Sequence, residues 1–184
     1  MNKIEIPLSK TKILLGVIGS ITFVILGTIF LITPDTFITP ILRNEQTIMI
    51  VGVAAVVFFG AVGVYTFKKL FDKTIGLTID EKGITDNSNA SSVGLIVWDE
   101  IVQIRTEEIM SNKFLLIFVS DPEKYIGRVS GIKRKLLQSS FKMYGTPISI
   151  TSNTLKYNFN DLERLLRERL EEQRGRREDS KTNE

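Results

Sequence analysis

The stretch ILLGVIGSITFVILGTIFLI, residues 13–32, decides the first half of the fold, and IMIVGVAAVVFFGAVGVYTF, residues 48–67, repeats its message. Each is a run of twenty residues without one charged side chain. As a helix rising about 1.5 Å per residue, twenty residues span about 30 Å, the thickness of a bilayer's hydrocarbon core. A core helix of a soluble protein carries a polar face, and neither run has one. The first run is longer than the apolar stretch of a secretion signal, and no small-residue cleavage site follows it. The reading is a hairpin of two transmembrane helices, 13–32 and 48–67, joined by an external loop over 33–47.

The flanks predict its orientation. Lys3, Lys10 and Lys12 precede the first run, and Lys68, Lys69 and Lys73 follow the second. The connector carries only Arg43, beside Asp35 and Glu45. Cations collect on the cytoplasmic side. Both termini are therefore expected in the cytoplasm, with 1–12 a short cytoplasmic N-terminus and the location the inner (plasma) membrane. Gly16, Ser20 and Gly27 share a face of the first helix, and Gly52, Gly60 and Gly63 lie in the second. Small residues let helix backbones approach, so these positions are read as the packing seam or as a face for homo-oligomers. Ordinary glycine usage in membrane helices accounts for them as well. No ionisable residue sits inside either run, which argues against an ion or proton relay.

Working outward, the pattern changes after residue 70. Leu77 and Ile79 alternate with Thr78 and Asp80, the period of a strand, and 80–83 closes a turn on Gly83. Further strands are expected over 84–86, 94–98, 101–110 and 113–119, a meander of short antiparallel strands suited to a sandwich or small barrel. Asp121 and Pro122 open a short helix. Residues 132–144 form a longer one, with Leu137, Phe141 and Tyr144 on one face and Gly145 at its stop. A strand over 147–151 follows. Asn160 and Glu163 read as the capping box of a last helix bearing the stripe Leu162, Leu165, Leu166 and Leu170. The domain is bounded at 70–173, and the polar residues 174–184 are predicted to be a disordered tail. The fold class is α+β: a transmembrane hairpin, then a β meander or barrel closed by an amphipathic helix.

The composition excludes much. The 184 residues include no Cys and no His, which removes thiolate and imidazole metal sites and every Cys or His nucleophile arrangement. Beyond residue 69 the chain holds eighteen basic and eighteen acidic residues, so a globally basic nucleic-acid binder is not indicated. No glycine-rich phosphate loop occurs outside the apolar runs. The carboxylate pairs Asp99–Glu100 and Glu107–Glu108 are adjacent in sequence. Neighbours on a strand point to opposite faces, so neither pair converges by itself for acid–base chemistry. No catalytic residue, metal site or cofactor is expected, and the chain is not read as an enzyme.

Charge is distributed unevenly. Residues 80–123 hold nine acids against Lys82, Arg105 and Lys113, a net −6. Residues 124–160 hold no acid and carry Lys124, Arg128, Lys133, Arg134, Lys135, Lys142 and Lys156, a net +7. Lys133, Arg134 and Lys135 stand at a helix N-terminus, where the dipole disfavours cations. Together with the juxtamembrane Lys68, Lys69 and Lys73, the residues Lys124, Arg128, Lys133, Arg134, Lys135 and Lys142 are the candidate contacts to anionic lipid or another anionic ligand. A solvated helix paired with the acidic half of the same domain is the competing reading.

Several segments carry a resemblance: Gly76-Leu-Thr-Ile-Asp-Glu-Lys-Gly83, the Trp98-Asp-Glu-Ile101 element, Asp121-Pro-Glu-Lys-Tyr-Ile126 and Lys142-Met-Tyr-Gly-Thr-Pro-Ile-Ser-Ile150. In this order behind a helical hairpin, they resemble an uncharacterised bacterial family of two-transmembrane-helix proteins with a C-terminal pleckstrin-homology-like domain. The resemblance implies an architecture and no chemistry. The functional expectation is a membrane-tethered adaptor or sensor whose domain binds lipid headgroups, a peptide or a membrane protein partner. The alternative is an accessory subunit of a transport or envelope-stress complex acting through the hairpin.

Overall fold

The computed structural model describes residues 2–41, 44–109 and 112–182, with side chains given to residue 179. Arg43 of the connector, Ser111 of the predicted turn and the last two residues of the predicted tail lie outside the described residues. The chain divides into two compact units. One is residues 10–73; the other joins residues 1–9 to residues 74–184.

The first unit is the hairpin. Helix α1 runs Lys10–Ile32 and helix α2 runs Glu45–Leu70, with a short 3-10 turn at Pro34–Phe37 between them. Asn44 caps α2, its side chain accepting from the Thr47 N–H at 2.7 Å. Both helices are long and apolar enough to cross a membrane. Only 22% of the most apolar stretch of α1 and 11% of that of α2 is buried, unlike the core helices of a soluble protein. Leu15, Ile50, Val57 and Phe58 are all more than half exposed.

The seam between the two helices is set by small residues. A Cβ added at Gly52 would lie 2.9 Å from the Gly27 carbonyl oxygen, and one at Gly27 would lie 3.0 Å from the Ala55 Cβ. A Cβ at Gly63 would lie 3.2 Å from the Ser20 Cβ. Phe23 and Phe59 stack at 4.2 Å. Gly60 departs from expectation, since a Cβ there meets nothing within 4 Å. At the open end, the Lys10 ammonium donates to the Leu70 carbonyl at 2.6 Å and also to that of Asp72. A cation thus sits where the orphan carbonyls and dipole of α2 favour one.

The second unit is a mixed domain of helices and two antiparallel sheets. Strands β1 (Ile4–Pro7), β2 (Ile75–Ile79), β3 (Gly83–Asp86) and β4 (Gly94–Val97) form the first sheet in that order. Strands β5 (Ile101–Ile109), β6 (Asn112–Val119) and β7 (Ile148–Ile150) form the second. The helices are α3 (Pro122–Gly127), α4 (Gly131–Tyr144) and α5 (Phe159–Thr182).

Strand β1 lies within residues that the sequence reading assigns only to a cytoplasmic flank. Ile6 pairs with Leu77 across the 64-residue hairpin unit that separates β1 from β2. Ile6 and Leu8 are buried, and Leu8 bridges to Leu155. The domain therefore begins before the hairpin, and its boundary at residue 70 is corrected accordingly.

Two further differences concern α5. Its cap is Asn158, whose side chain accepts from the Asn160 N–H at 2.8 Å. Glu163 does not close a capping box. It accepts from the Thr106 hydroxyl at 2.6 Å and pairs with Arg167. The helix also continues to Thr182 instead of ending at 173. The reason is docking on β5: Arg167 donates to the Ile104 carbonyl, Arg174 to that of Val102, and Arg177 pairs with Asp99. Outward-facing carbonyls of an edge strand thereby find donors.

Candidate functional site

The core leaves one helix two-sided. Leu137 of α4 is fully buried, and Phe141 and Tyr144 are half-buried beside it, as the apolar face predicted. The helix stops at Gly145, which adopts φ +76° and returns its N–H to the Phe141 carbonyl at 2.9 Å, a conformation that costs glycine no steric strain. On the other side, Ile132 is 79% exposed, Leu136 45% and Met143 67%. At 3.6 residues per turn these three share an arc of about 40°. Lys135 and Lys142 lie about 80–100° to one side of that arc and Lys133 about 80° to the other. A second apolar stripe rimmed by cations is therefore presented to the surroundings. Sequence reasoning placed only the buried stripe, although the spacing Ile132, Leu136, Met143 was there to be found.

The predicted contacts separate into three groups. Lys124 and Arg128 are engaged in the fold. Lys124 pairs with Glu100, and Tyr125, fully buried, donates its hydroxyl to the other Glu100 oxygen at 2.7 Å while accepting from the Val97 N–H at 3.3 Å. Arg128 lies over the Tyr125 ring at 4.2 Å and donates to the Leu95 carbonyl at 2.7 Å. The Lys124 and Tyr125 hydrogen bonds hold the Glu100 carboxyl below its ordinary range. Burial, with the Glu100 hydrogen bond, pushes the Tyr125 phenol up to about 12. These groups fasten α3 across β4 and the Trp98–Glu100 turn.

The juxtamembrane lysines form the second group. Lys69 pairs with Asp72 at 2.8 Å and is mostly covered, whereas Lys68 and Lys73 are exposed. The third group is Lys133, Arg134, Lys135 and Lys142. Among the described residues, none of these four α4 cations has an ion pair or a side-chain hydrogen bond. The expected pairing with the acidic half is thus confined, within this basic run, to Lys124 and Glu100 among the described residues.

The carboxylates of the predicted pairs face different partners. Asp99 faces Arg177 while Glu100 faces Lys124, and Glu107 pairs with Arg105 at 3.1 Å. Among the described residues, no cluster of three or more Asp or Glu side chains could hold a metal ion. Trp98 is a core anchor, 2% exposed, its indole donating to the Asp80 carbonyl at 2.8 Å. Beside the helix seam, Val17, Ser20, Val24, Phe59, Gly60 and Gly63 help line an apolar groove of about 370 Å³ on the hairpin. No family model matches this chain, nor does any curated protein or any solved structure.

Proposed function

We propose that the chain is a non-enzymatic, membrane-tethered adaptor or sensor: α1 and α2 cross the inner membrane, both termini face the cytoplasm, and the pleckstrin-like domain recognises an anionic surface, foremost lipid headgroups. The carrying observation is the set of α4 cations that have no ion pair among the described residues, held on a domain whose chain enters and leaves two apolar spans. The seven antiparallel strands among the described residues and the closing helix α5 support the pleckstrin-like likeness. The pairing of β1 with β2 supports an even number of crossings, because the strands before and after the hairpin belong to one sheet. The lysines at 10, 12, 68, 69 and 73 support the cytoplasmic side.

Two measurements test this. The chain has no cysteine, so Asp35→Cys and Glu123→Cys each introduce a single reactive thiol. Position 35 should react with an impermeant maleimide on intact cells and position 123 only after permeabilisation; labelling of position 123 from outside refutes the orientation. Hydrogen exchange of the full chain in nanodiscs should slow somewhere in the domain when neutral lipid is replaced by anionic lipid. If no segment responds, headgroup recognition fails and a protein or peptide partner takes its place.

A second reading has its own observation. The groove beside Gly60, where a Cβ meets nothing within 4 Å, fits an accessory subunit whose hairpin receives a helix of a membrane protein partner or of a second copy. Gly60→Leu would abolish such an association and leave the exchange response intact.

A further inference from the structure

We infer that α4 is an interfacial helix: its outer stripe of Ile132, Leu136 and Met143 enters the acyl boundary of an anionic leaflet while Lys133, Lys135 and Lys142 hold the headgroups. This deepens the tethered-domain reading and rests on it. It also adds apolar insertion to surface attraction, which the charge pattern alone does not contain.

Three observations converge. First, large apolar side chains are exposed on one arc of α4 while Leu137 on the opposite side is fully buried, so the helix is already seated in the domain and its outer stripe is left over. Helices that lie in a membrane interface combine such a stripe with a cationic rim. Second, the rim is complementary to one occupant. Residues 124–160 contain no acid, and among the described residues the α4 cations have no carboxylate partner. An anionic leaflet supplies the counter-charge and the apolar phase together. Third, the domain is joined to the two spans directly at Ser9–Lys10 and at Lys73–Thr74. Linkage this short keeps the domain at a high effective concentration near the leaflet, so a modest patch suffices.

The experiment labels the full chain at single cysteines with an environment-sensitive fluorophore. Positions are Ile132→Cys, Leu136→Cys, Met143→Cys and, as the control, the exposed Gln138→Cys about 140° round the helix from the stripe on the flank away from Leu137. Each is placed one chain per nanodisc of neutral or anionic lipid, with nitroxide-bearing lipid as quencher. In anionic discs, labels at 132, 136 and 143 should be quenched and 138 should stay in water. Each basic side chain near an anionic leaflet shifts such an equilibrium about fivefold, so Lys133→Gln, Lys135→Gln and Lys142→Gln together should lower the inserted-to-exposed ratio about a hundredfold. Near-equal exposure of all four labels overturns the inference, as does protection of all four, which means burial within the protein. Protection that needs two or more chains per disc means a second copy covers the stripe and also overturns it. If position 123 proves external, the tethered-domain reading fails; if that labelling pattern holds and 132, 136 and 143 stay in water, only this inference fails.

Discussion

Residues 1–9 should contribute a large share of the stability of the domain. Ile6 is 2% exposed and Leu8 6%, and both leave the core together if the N-terminus is removed. Losing a buried Ile or Leu side chain costs about 2–5 kcal/mol, so the pair amounts to about 4–10 kcal/mol. A domain of this kind has about 5–15 kcal/mol in total. A fragment of residues 74–184 should therefore be unfolded or marginal, with the β2 edge open beside Leu77. The same fragment preceded by residues 1–9 through a six-residue Gly-Ser linker should fold. Pro7 and Ile75 are Cα partners, so Ser9 and Thr74 lie within about 16 Å, and six residues reach about 20 Å. Trp98 is the only tryptophan and is buried, so its fluorescence reports this unit alone. Urea titration should give a cooperative transition for the linked chain, and Ile6→Ala should lower its midpoint by about 1 M or more. Equal midpoints for the fragment with and without residues 1–9 would refute the reasoning.

Gly52→Val should loosen the hairpin by about 1–3 kcal/mol, since its Cβ would meet the Gly27 carbonyl at 2.9 Å, while Gly60→Val should stay within about 0.5 kcal/mol; detergent-unfolding curves of both compare them. Tyr125→Phe removes the donor to Glu100 and leaves the Val97 N–H unsatisfied, and should cost the domain about 1–3 kcal/mol by Trp98-detected unfolding. Glu100 has a lowered folded pKa, so its contribution is complete above the ordinary value of 4.5 and disappears as pH falls through the lower folded value; Glu100→Gln should flatten that acid limb of the stability profile. Tyr125 has a raised one, so its contribution is complete below pH 10 and is lost as pH rises toward 12, a limb that should vanish in Tyr125→Phe.

What could be read from the sequence was whatever repeats locally. Two uncharged runs, a period-two stretch at Leu77 and Ile79, an Asp121–Pro122 helix start and a Gly145 stop each encode their structure within a few residues, and helices and strands stand there. What escaped depends on distant partners. Ile4, Ile6 and Leu8 alternate with Glu5 and Pro7, a visible strand signal, but their partner lies beyond both apolar helices. The segment after 173 reads as a disordered tail until Arg174 and Arg177 find Val102 and Asp99. Pairing of charges was equally hidden: composition set −6 against +7, and only the fold spends Lys124 on Glu100 while leaving α4 unpaired among the described residues.

That unpaired remainder bears on how such a surface would be regulated. A free domain with three apolar side chains and three lysines at its rim would hold a membrane weakly, because attraction to an anionic leaflet falls off within a Debye length, about 8 Å at physiological salt. On the proposed tether, the domain does not have to supply the entropy of encounter from that patch. Its α4 equilibrium can then lie near balance, where a change in leaflet charge or the arrival of an acidic competitor moves it. The runs 13–32 and 48–67 carry no charged side chain, so the cations of the hairpin lie at its ends, at Lys10, Lys12, Lys68, Lys69 and Lys73. On the proposed reading a response to lipid composition falls to these end cations and to those of α4, which have no ion pair among the described residues.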